Sequence, residues 1–235
     1  MNNLKPIFQE YYIKNLIDLL LDKFKNAKFQ LNEISNNKEF HKYSWPNIIL
    51  SDEITLTNNS DETEKWNIDK LGKYNNKRRE ITLYIQKIIN VSTAYQLTDI
   101  NLNLNKVITE ITTIVLLHEI THWIVTSVEV ENSNLYNKHK YRSYQQKCFH
   151  EGLAQFFTFK SLQSELLSID VNIFHWLNIN SPTQYSIYAQ LKDNEISTII
   201  RMLIVARKKD IQEWDKFKEL ATLSRGTIKT GIYGI

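Results

Sequence analysis

The sequence predicts an α+β fold: a helix and a small sheet in the N-terminal part, then a helical lobe that carries the chemistry. Two observations point there. Short β-branched runs separated by Asn-rich turns fill residues 28–90, and three- and four-residue apolar spacings take over from about residue 104. A third observation sets the scale. A chain of 235 residues with 42% hydrophobic content can bury one real core, expected as a single domain, 1–235, with sub-lobes 1–105 and 106–235 around a cleft.

Residues 7–26 come first. Ile13, Leu16, Ile17, Leu20, Leu21 and Phe24 recur at helical steps, and the opposite face carries both charge signs. That pattern favours a helix packed on the core over one lying on a membrane surface. Next, Phe29, Leu31 and Glu33 alternate with polar neighbours. Ile48-Ile49-Leu50, Ile54-Thr55-Leu56-Thr57 and Ile81-Thr82-Leu83-Tyr84 are short β-branched runs, with turn residues at 58–61 and at Asn75-Asn76. They predict a sheet of roughly three to five strands. Helices follow at about 106–127, 143–168, 183–192, 194–208 and 211–223, the last marked by Trp214, Phe217 and Leu220. The tail, 226–235, holds three glycines and is expected to be irregular.

Composition narrows the function classes. The net charge is +3, from 29 basic and 26 acidic residues, which leaves no nucleic-acid footprint. The basic run at 73–79 reads as a solvated loop. Cys148 is the single cysteine, so no intrachain disulfide can form, and a reducing compartment is permitted. Its expected place is the core rather than a redox or inhibitory contact with a metal. Lys14, Asp18, Asp22 and Lys23 interrupt the N-terminal apolar residues, unlike a secretory segment. No stretch approaches the ~20 apolar residues of a membrane span. A cytoplasmic protein without nucleic-acid or membrane partners is expected.

Residues 118–122 read His-Glu-Ile-Thr-His. On a helix, His118 and His122 fall on one face about one turn apart and can reach one tetrahedral metal. Ile111 and Val115 share that stripe, so the face points inward. Ile114-Val115-Leu116-Leu117 before the motif and Trp123-Ile124-Val125 after it mark a buried helix. Imidazoles on such a face need partners, and a metal supplies one. Glu119 sits beside them, able to act on a water as general base without being a ligand.

A third ligand must come from elsewhere, and position 128 is Val rather than His. His139, His150 and Glu151 are the candidates. Glu151 is favoured, because small Gly152 and Ala154 after it would let a second helix approach the first. Without a metal role, Glu151 would be an acidic residue in a helix's first turn.

A His-Glu-x-x-His helix followed by Glu-Gly-Leu-Ala at residues 151–154 resembles the gluzincin peptidases, the thermolysin-like and aminopeptidase-like group. The resemblance extends over about residues 70–220. Gly72-x-Tyr74 and Ile81-Thr82-Leu83-Tyr84 resemble the edge strand over the cleft of such enzymes, and 185–191 and 193–203 resemble the helices after the third ligand. It implies a zincin-like fold, Zn2+ held by His118, His122 and Glu151, Glu119 as the base, and a peptide or protein substrate lying as a strand along 81–85. It also implies a downstream Tyr or His at the oxyanion: Tyr185 first, then Tyr188 and His175. Gluzincins often place an Asp four residues after the Glu ligand to orient the first His. Here Gln155 stands there, which makes His118 a weaker base.

The function expected is thus a zinc metallopeptidase. One rival is a regulatory protease dedicated to a single partner, resembling the repressor-cleaving family of mobile elements. Another is a non-catalytic zinc scaffold, which Glu119 argues against because a structural site needs no base.

Overall fold

The computed structural model describes residues 46–51, 70–127, 143–163, 169–209 and 211–220. The expected helix at 7–26, the strands around 29–33 and 54–57, His139 and the tail at 226–235 lie outside these residues. The described part is α+β and mostly helical, with one three-stranded sheet and seven helices.

Strands β1 (Asn47–Ser51), β2 (Gly72–Asn75) and β3 (Glu80–Tyr84) form the sheet in the order β1-β3-β2. β1 runs parallel to β3, and β2 antiparallel. The hairpin between β2 and β3 turns where Asn75-Asn76 predicted it. Asn75 Oδ1 accepts from the backbone N–H groups of Lys77 and Arg78, and Arg79 takes a positive φ of 50°. Lys77, Arg78 and Arg79 lie exposed in this turn, whereas Lys73, also exposed, belongs to strand β2, so the solvated-loop expectation holds for only the second half of the basic run. β3 alternates: Ile81 and Leu83 are fully buried beneath the helices, and their neighbours are half-buried.

One expectation about the sheet is corrected here. β3 is flanked on both sides, so residues 81–84 are a central strand and not the edge over the cleft. Among the described residues that edge is β2. Tyr84 N–H donates to Leu71 O at 2.9 Å, and antiparallel alternation then turns the backbone groups of Gly72 away from β3.

β3 runs directly into helix α1 (Ile85–Gln96). Its buried residues, Ile85, Ile88, Val91, Ser92 and Tyr95, keep helical spacing. No turn residue separates strand from helix, which is why this helix did not stand out in the sequence. Helix α2 (Leu104–Ser127) is the histidine helix. Asn103 Oδ1 caps it by accepting from Lys106 N–H at 3.2 Å. Ile111, Leu116, Leu117 and Ile120 are almost wholly buried. Thr112, Thr113 and Thr121 are buried too, each donating its hydroxyl to the carbonyl four residues back.

Helix α3 (Tyr144–Leu162) packs on α2. Ser143 opens it, its side chain accepting from Gln146 N–H at 3.2 Å. Helix α4 (Val171–Ile179) was not anticipated; Asp170 caps it through Asn172 N–H at 2.9 Å. The expected helix at 183–192 is a four-residue helix, α5 (Thr183–Ser186), continued by a 3-10 turn (Ile187–Gln190). Helices α6 (Ile196–Lys208) and α7 (214–220) complete the lobe. No described helix is long and apolar enough to cross a membrane.

Candidate metal centre

α2 and α3 bring three donor atoms together. His118 Nε2 lies 3.0 Å from His122 Nε2 and 3.1 Å from Glu151 Oε2, and His122 Nε2 lies 3.4 Å from the same carboxylate oxygen. Together they form the one group among the described residues that could hold a metal ion. The spacing tests the fit. A tetrahedral ion with bonds of about 2.0–2.1 Å sets its ligand atoms roughly 3.3–3.4 Å apart. The triangle is close to that size, and the donors are two imidazole nitrogens and one carboxylate oxygen.

The charges in this cluster hold each other. Burial pushes Glu151 up, but the charges and hydrogen bonds of His122 and His118 outweigh it and leave the carboxyl well below the usual range. Burial pulls His122 down, but Glu151 and Glu119 outweigh it and the net shift is upward. Glu119 moves up. Its burial dominates over the two imidazoles that oppose it, and the Glu151 charge adds to the rise.

Glu119 stands outside the donor triangle, beneath the sheet edge. The backbone N–H of Tyr74 on β2 bonds its carboxylate. Gly72 makes that approach possible: a Cβ there would sit 2.8 Å from Val115 Cγ1 and 2.9 Å from Glu119 Cγ. A glycine inside a strand signals such close approach, so the role was readable at Gly72, where the sequence suggested only strand resemblance.

Gly152 serves a different contact from the one expected. A Cβ there would meet Ile187 Cγ2 at 2.6 Å and the Trp214 ring at 2.7 Å. The missing side chain therefore admits the 3-10 turn and α7, not α2. Glu151 reaches the histidines because adjacent helical residues point about 100° apart, so Gly152 faces the other way.

Of the supporting candidates, Tyr185 is at the site. Its ring lies 5.7 Å from that of His118, and it lines the cleft beside the donors. Tyr188 is not: it is buried against Phe159 and Phe174, with its hydroxyl 3.4 Å from His175 Nδ1. His175 is exposed on α4. His150 is buried with its ring edge-on to Phe149, outside the donor group. Cys148 is a fully buried free thiol, as a core residue would be. Gln155 follows Glu151 by one turn, but it does not bond His118. Gln155 Oε1 and His118 Nδ1 are both buried without a hydrogen-bond partner.

The cleft beside the donors opens to solvent, and the space in and in front of it amounts to about 470 Å³. Leu71, Ile114, Val115, Phe174 and Leu177 give it apolar walls, and Lys70, Asn178 and Ser181 add polar groups. Lys70 holds a positive φ of 70° just before β2. Asn178 escaped the sequence reading because the helix that carries it did.

Comparison with protein-family models, with curated proteins and with solved structures finds no match for this chain.

Proposed function

We propose that this chain is a zinc-dependent metallopeptidase, a hydrolase of zincin-like architecture. The observation behind this reading is a triangle of His118, His122 and Glu151 at metal-ligand spacing, with a buried acid, Glu119, beside it but outside it. Two imidazoles and one carboxylate are the protein ligands of a hydrolytic zinc site that keeps a fourth position open. Zn2+ bound there supplies Lewis-acid polarisation and makes a water more acidic.

The chain's own residues account for the rest. Glu119 accepts a proton from water and later delivers it to the leaving amine. Tyr185, beside His118, offers its hydroxyl to the carbonyl oxygen as negative charge develops. An extended peptide runs alongside β2 at Gly72, where backbone groups turn away from the sheet, and not along β3.

The test is hydrolysis of a fluorogenic peptide library by zinc-loaded protein, with and without chelator. Cleavage that stops on chelation is expected. Glu119→Gln should keep one zinc per chain and lose turnover by about 10²–10⁴-fold. Wild-type turnover in that variant would falsify the mechanism. Cleavage of a single protein and no library peptide would narrow the reading to a dedicated regulatory protease.

A further inference from the structure

The cleft contains more unsatisfied polarity than the metal centre accounts for. Gln155 Oε1 and Asn178 Oδ1 are buried acceptors with no hydrogen-bond partner, and both residues line the cleft. They are 8% and 5% exposed, so both side chains are largely shielded from solvent. Asn178 is not free to reverse its amide at no cost, because its Nδ2 donates to Phe174 O at 2.7 Å. Gln155 comes from α3 and Asn178 from α4, on either side of the same space. Unpaired buried oxygens are costly, and a ligand that donates to them relieves the cost.

The kind of donor follows from charge and count. Among the described residues Glu119 is the sole acid lining the cleft, and the mechanism uses it; exposed Lys70 adds a positive charge. A buried ammonium or guanidinium would lack a counter-ion there, so the donor is neutral. Two acceptors ask for two N–H groups. Two N–H donors on one neutral group are those of a primary carboxamide.

We infer that the cleft is a specificity subsite for a carboxamide side chain, so that the substrate peptide presents Gln or Asn to Gln155 and Asn178. This rests on the peptidase reading and names its substrate class. The apolar walls take the methylene stem. A Leu side chain of similar size would leave both oxygens buried and unpaired, which is how a site built for hydrogen bonding rejects an apolar analogue.

The test reads binding, separately from turnover. Peptides with a non-hydrolysable reduced bond, carrying Gln, Leu, Glu or Lys at one position in turn, are titrated into the zinc-loaded wild-type chain by calorimetry. The Gln peptide should bind at least about tenfold tighter than the Leu, Glu and Lys peptides. Asn178→Leu should erase that preference while retaining affinity for the Leu peptide. Gln155→Met, which keeps the stem and drops the acceptor, should reduce the preference and guards against a misfolded Asn178 variant. Equal or tighter binding of the Leu peptide overturns the subsite, as does a Gln155→Met protein that loses zinc affinity but keeps the Gln preference. A Gln preference in binding with no hydrolysis of any peptide leaves the subsite standing and removes the peptidase. Hydrolysis without a Gln preference does the reverse.

Discussion

The two sides of the donor triangle are built differently. On α2, His118 and His122 lie one turn apart on a single buried helix, so local geometry fixes their spacing. Glu151 arrives from α3, and packing alone sets its place. The same division holds around the site. Glu119 belongs to the histidine helix but depends on β2 lying close above it at Gly72, and Tyr185 depends on the turn packed against Gly152. Chemistry encoded within one helix survives small movements of its neighbours. Chemistry assembled between elements is as secure as the contacts behind it.

The largest effects should come from the ligands themselves. His118→Ala or His122→Ala should abolish zinc binding by elemental analysis, since each leaves two protein ligands. Glu151→Ala should also weaken zinc strongly, whereas His150→Ala should leave it within a few-fold, because His150 turns toward Phe149. Zinc dissociation constants in the opposite order would replace Glu151 with a third histidine and undo the assembled half of the site.

Smaller effects should separate the two glycines. Gly152→Ala drives a methyl into Ile187 and Trp214, an overpacking that costs about 1–3 kcal/mol in denaturant unfolding. Gly72→Ala meets Val115 and Glu119 instead. It should cut turnover more than stability, because relief comes by moving the base or the strand above it. If both variants lost stability equally with turnover per folded molecule unchanged, β2 would have no part in placing Glu119.

The same division decides what the sequence disclosed. His118, Glu119 and His122 were legible because helical spacing turns a five-residue pattern into a geometry. Glu151 was legible as a residue but not for its reason: Gly152 was expected to admit α2, and it admits Ile187 and Trp214. Residues 81–84 were legible as a strand, yet which strand lies at the edge depends on pairing partners distant in sequence. Helix α4 went unseen, and Asn178 with it, since nine residues give little periodic signal. No local pattern announces that an amide on that helix will line the same cleft as one on α3.

The smallest expected effect concerns pH, and it bears on the coupling between the two sides. In metal-free protein, Glu151 has its pKa depressed on folding. Its contribution is fully present above the unfolded value of about 4.5 and is lost as pH falls through the folded one. His122 has its pKa raised. Its contribution is fully present below the unfolded value of about 6.5 and is lost as pH climbs through the folded one. Glu119 pulls the same way as His122: a raised carboxyl pKa favours the folded state while protonated, and that advantage shrinks as pH rises past its unfolded value of about 4.5. The metal-free chain should therefore be most stable on the acid side of neutrality. Zinc reverses the trend, because it binds neutral imidazole and ionised carboxylate and so displaces protons. The gap in Tm between zinc-loaded and chelated protein should be wider at pH 8 than at pH 5.5 at equal free zinc. Glu151→Gln removes the charge that holds the His122 proton, so its metal-free Tm should fall less between those two pH values than that of the wild type. An unchanged fall would mean that the carboxylate and the His122 imidazole are not coupled across the helix interface, and the contact between α2 and α3 would then be packing without electrostatic coupling.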